Sequence, residues 1–130
     1  MIESLFEIKK IKLKKAEMAA VKKRQEIEKI SNELAKLNRK ILDYKQWRLA
    51  EEKRLFEDAK LNFLNLKQLE EIQQQLLVFL EEETKIKNEV EDKEEQIKNE
   101  KDELDVLNKN VHFANKGIEK IKYIKSNQML

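Results

Sequence analysis

The chain has 130 residues, 42% of them charged, with one Gly, no Pro and no Cys. Sheets and tight turns need the punctuation that is missing, so long helices are what such a composition leaves. The 28 basic and 26 acidic side chains nearly cancel to +2, which marks solvated helix faces and not a polyanion-binding tail. The lack of Cys excludes disulfides, zinc knuckles and thiol chemistry.

From the N-terminus, Ile2, Leu5, Phe6 and Ile8 precede the first lysines, an order opposite to that of a signal peptide. No apolar run approaches the roughly 18 residues of a membrane span. A heptad pattern then steps by three and four through Leu13, Ala16, Ala20, Lys23, Ile27, Ile30, Leu34, Leu37, Ile41, Tyr44, Arg48, Glu51 and Leu55. It predicts a first helix over about residues 3–61. Asn65 then reads as a helix cap, with Gln68 reaching back to it and Leu64 stapling onto Leu69. A bend over residues 62–65 and a second helix over 66–125 follow. The second helix carries its own heptad run: Leu69, Ile72, Leu76, Phe79, Glu83, Ile86, Val90, Lys93, Ile97, Glu100, Leu104, Leu107, Val111, Ala114, Ile118, Ile121 and Lys125.

Two helices of similar length with a short connection pack antiparallel. If facing residues have numbers that add to 127, the seam positions of one run meet those of the other, as Ala20 with Leu107, Ile30 with Ile97 and Leu55 with Ile72. That register puts the bend where the capping signal puts it. The expected fold is therefore all-α: a single domain over residues 1–130 in which two long helices form an antiparallel coiled-coil hairpin. It would be an elongated rod of roughly 85–90 Å. One continuous helix that dimerises is the competing architecture. The polar seam residues Lys23, Arg48, Glu51, Lys93 and Glu100 are expected to weaken so thin a seam.

Two regions stand out. Residues 1–24 hold eight basic and three acidic side chains and residues 109–125 five and one, and a hairpin places both at one end. A solvated face, a nucleic acid or an anionic membrane surface would each account for that charge. Near the bend, Tyr44, Trp47, Phe56 and Phe63 fall within twenty positions, and Leu49, Phe56 and Phe63 recur every seven residues off the seam, interleaved with Lys53 and Lys60. Exposed aromatics beside cations make protein-binding hot spots, unless the tip rotates them into its own core. Glu81, Glu82, Glu83, Asp92, Glu94 and Glu95 read as structural helix-face carboxylates, His112 has no second ligand at helical spacing, and Gly117 sits in a seam and not in a phosphate loop. No catalytic, metal or cofactor site is expected.

The stretch Asp43-Tyr44, Trp47-Arg48, Glu51-Glu52, Arg54-Leu55-Phe56, Lys60, Leu64-Asn65, Lys67 and Leu69-Glu70, with Lys14, Ala16 and Glu17 near the start, resembles the central signature of the YscO family. These are small type III secretion proteins, the injectisome counterparts of flagellar FliJ, and members often continue into a longer acidic tail than is present here. The resemblance implies a non-enzymatic stalk or escort protein in the cytoplasm at the inner-membrane base of the secretion apparatus. It implies protein partners (the hexameric secretion ATPase, the export gate and translocator chaperones) and no nucleic acid or small-molecule substrate. Lys9, Lys10, Lys12, Lys14, Lys15, Lys22, Lys23 and Arg24 then become the candidate ATPase-binding charges. Trp47, Phe56 and Phe63 become anchors for gate or chaperone, with Arg48, Lys53 and Arg54 as steering charges. The alternatives are a generic structural coiled-coil adaptor and a basic amphipathic binder of membrane or nucleic acid.

Overall fold

The computed structural model describes residues 1–62 and 65–128. It is an all-α helical hairpin of two elements, α1 (Ile2–Leu61) and α2 (Leu66–Gln128), with no strand among the described residues. The helices are long because nothing interrupts them: no Pro occurs, and the one Gly lies inside α2.

The start of α2 is closed by a capping box. The backbone N–H of Gln68 donates to Asn65 Oδ1 at 2.9 Å, and the Asn65 N–H donates to Gln68 Oε1 at 3.0 Å. Two amides left without helical partners are thereby satisfied. The expected staple through Leu64, and the position of Phe63, lie outside the described residues.

Every seam position of α1 from Leu13 to Leu55 is buried or half-buried, as is every one of α2 from Ile72 to Lys125. Leu69 departs from the expected pattern at 44% exposure. Its facing position in the register is Asp58, beyond the last apolar seam residue of α1, so no apolar seam residue of α1 meets it. The seam is thin, as two helices alone must make it: among the described residues, Ala20, Ile27, Ile30, Phe79, Ile86, Ile118 and Ile121 are the buried hydrophobic ones. The remaining seam residues are half-covered, and each gains less than the ~1.5–3 kcal/mol of a fully buried aliphatic side chain.

Two compact units divide the hairpin: a terminal unit of Met1–Ile30 with Gln96–Leu130, and a bend unit of Ser31–Glu95. Both pair α1 antiparallel to α2 near the expected register. In the terminal unit Lys23 meets Glu103 and Lys125 meets Glu3, while in the bend unit Lys93 meets Glu33 and Lys45 meets Glu83.

Of the polar seam residues expected only to weaken the packing, Lys23, Arg48, Lys93 and Glu100 find opposite charges across it, while Glu51 pairs with Arg54 on its own helix. In the terminal unit Lys23 Nζ donates to Glu100 at 2.7 Å and to Glu103 at 2.6 Å, with Glu26 at 3.3 Å. In the bend unit Arg48 Nε lies 2.7 Å from Glu83 Oε2, an ion pair whose N–H is not aimed along a hydrogen bond. Arg48 Nη1 donates to Glu52 at 2.8 Å. Shifting either pair by one heptad would strand charge in an apolar layer, so these contacts select a register as well as stabilising it.

Candidate interaction surfaces

Interaction surfaces are what this fold offers, and the bend unit carries the first. Tyr44 sits in the seam, where its hydroxyl donates to the Phe79 carbonyl at 2.9 Å. Burial raises its pKa, because the phenolate would lose hydration. Trp47 packs beside it, with ring centroids 5.6 Å from Tyr44 and 5.0 Å from Phe79, the latter edge to face. About half of the indole remains exposed. Trp47 is therefore both part of the packing and available to a partner.

Phe56 is 54% exposed and Leu49 57%, on the off-seam face that the seven-residue spacing defines. Leu42, one heptad earlier, is exposed on the same stripe and extends it toward the N-terminus of α1. Lys53 is exposed. Arg54 is exposed too, but its guanidinium forks onto Glu51 at 2.8 Å and reaches Asp58 at 3.3 Å. The hydrogen bond to Arg54 holds the Glu51 carboxyl below the usual carboxylate range. Arg48 differs from its neighbours. Its pairing with Glu52, and then with Glu83, raises its pKa and commits the side chain to the seam.

The terminal unit carries the second surface. Lys12, Lys14, Lys15 and Lys22 are exposed. Lys10 pairs with Glu7 at 3.7 Å and lies over the Phe6 ring at 4.4 Å, and Lys125 approaches the same ring at 5.0 Å. The Lys9 stem crosses α2 at Gly117, where an added Cβ would sit 3.7 Å from Lys9 Cδ, an ordinary contact. Arg24 donates to Asn108 at 3.3 Å. Lys23 is the exception among the eight cations: its hydrogen bonds to Glu100 and Glu103 raise its pKa and hold the ammonium in the seam. Sequence spacing marks Lys23 and Arg48 as seam residues and the family resemblance makes them partner charges, and the packing engages both within the chain.

Of the carboxylates among the described residues, Glu83 alone is buried, and it serves Arg48, with Lys87 at 3.5 Å and Lys45 at 3.8 Å. Its burial follows from the heptad, since Glu83 occupies a seam position. His112 is exposed. No cluster of three metal-ligating side chains occurs among the described residues, and no helix there is long and apolar enough to cross a membrane.

None of the curated protein sequences matches this chain. A family model described as type III secretion protein YscO matches residues 2–129. The crystal structure of the type III secretion protein YscO from Vibrio parahaemolyticus is similar with a TM-score of 0.89 and 31% sequence identity, over 99% of this chain and 81% of that one. With a match along nearly the whole sequence and the same helical hairpin in a solved relative, the chain belongs to the YscO family of type III secretion proteins.

Proposed function

We propose that this protein is a non-enzymatic stalk or escort of the secretion apparatus, acting in the cytoplasm at its inner-membrane base, and that its terminal unit binds the hexameric secretion ATPase. The observation that carries this reading is that the two basic segments, residues 1–24 and 109–125, belong to one compact unit. Lys12, Lys14, Lys15 and Lys22 are the steering charges, since they extend into solvent, whereas Lys23 is spent inside the seam. Charges of this kind raise the rate of encounter with an acidic partner more than they deepen the final complex. The bend unit, through Trp47, Lys53, Arg54 and Phe56, is the surface for the export gate or translocator chaperones.

The test replaces Lys12, Lys14, Lys15 and Lys22 by Gln and measures association with the ATPase of the same secretion system. The expected result is an on-rate lower by on the order of tenfold at low salt, with unchanged helicity. Association unchanged in rate and salt dependence would remove the ATPase assignment from this unit.

A further inference from the structure

In the terminal unit a groove of about 510 Å³ runs between the helices, with Leu5, Phe113 and the Gly117 backbone along it and Lys12, Lys116 and Lys120 at its edges. Among the described residues no carboxylate lines it. Heptad counting from the seam puts Glu3, Glu7, Glu17 and Asp105 on the opposite flank. Farther along the groove's own flank, Glu26 and Glu103 are both held by Lys23. Glu119 lies at the outer edge, beside Lys116 and Lys120.

Large apolar side chains project from this flank into solvent. Phe113 is 79% exposed, and Leu5, Ile8, Ile124 and Tyr123 are all at least 46% exposed. The cations among them are all lysines; Arg24, on the other flank, is the unit's only arginine. Lysine is depleted at the cores of protein interfaces, where arginine and aromatic residues dominate. A flexible stem that keeps its charge in water while an aromatic ring enters an apolar layer suits a lipid surface.

We propose that this flank of the terminal unit binds an anionic phospholipid bilayer directly, inserting Phe113 and Leu5 while Lys12, Lys116 and Lys120 engage lipid phosphates. The contact goes beyond ATPase binding and does not depend on it. It would hold the protein against the membrane without a spanning segment.

The experiment is co-sedimentation of the full chain with phosphatidylcholine vesicles, with and without phosphatidylglycerol. Binding is expected only to the vesicles that contain phosphatidylglycerol. It should be lost between about 0.1 M and about 1 M salt, as the screening length falls from ~10 to ~3 Å. Replacing Lys116 and Lys120 by Gln should weaken it by about fivefold per lysine. Phe113→Ser should weaken it with helicity unchanged, and the charge-matched Lys98→Gln with Lys101→Gln should bind as the parent does. No sedimentation with anionic vesicles overturns the proposal and leaves the groove to an acidic protein helix. Equal losses from Lys98 and Lys101 overturn it too, since only bulk charge would then be at work. Phe113, Lys116 and Lys120 lie on α2 and leave the eight α1 cations intact, so this contact and the ATPase assignment can fail separately.

Discussion

At the scale of the residue, Glu83 shows what a coiled-coil seam does with charge. A carboxylate 5% exposed is costly unless cations meet it, and Arg48, Lys87 and Lys45 all do. Truncating Arg48 leaves that carboxylate in the seam with only the two more distant lysines. Arg48→Met should therefore destabilise the protein by about 2 kcal/mol, less than the ~3–5 kcal/mol of a deep-interior pair, because Lys45 and Lys87 remain. The double variant Arg48→Met with Glu83→Leu should recover that loss. Urea denaturation followed by circular dichroism measures both, and a single variant as stable as the parent would mean that Arg48 does not hold Glu83. Sequence period marked these two positions as seam; which charge meets which was decided by reach across the helices.

At the scale of the element, both helices follow from local rules. Their length follows from the missing Pro and the single Gly, and their facing edges from the heptad. The start of α2 follows from Asn65 and Gln68, whose side chains compete for backbone amides more effectively at a helix end than inside one. Asn65→Ala should cost about 1 kcal/mol. It should also speed hydrogen exchange at the Gln68 amide while leaving Ile86 protected. Unchanged exchange at Gln68 would mean that the cap does not govern the end of the helix. Leu69 marks where local rules stop being enough: its heptad phase is right, yet it stays exposed because α1 supplies no apolar side chain opposite it.

At the scale of the whole molecule, a two-helix seam leaves much apolar surface uncovered, and some of it is arranged in order. Leu42, Leu49 and Phe56 form a stripe on α1 at seven-residue intervals, each more than half exposed. If this stripe is the gate or chaperone surface, Phe56→Ala should weaken capture of that partner by on the order of tenfold while helicity stays near its parent value. A fall in helicity with partner binding intact would instead place Phe56 in the protein's own packing. Affinity for translocator chaperones and far-ultraviolet circular dichroism, measured on the same preparation, separate the two.

The sequence by itself determined the helices, the phase of each seam and the antiparallel register, because these depend on periodicity and on capping chemistry over a few residues. It also drew attention to the basic termini and to the aromatics near the bend. Only the tertiary structure decided which of those charges remain available. Lys23 and Arg48 read from the sequence as partner-binding cations, yet their carboxylates include Glu100 and Glu83, residues that the chain brings within 2.7 Å only when α2 folds back along α1. The groove beside Gly117 belongs to the same class, since it forms from Leu5 and Phe113 side by side. Contacts between residues so distant in sequence obey distance and side-chain reach, and no local period encodes them.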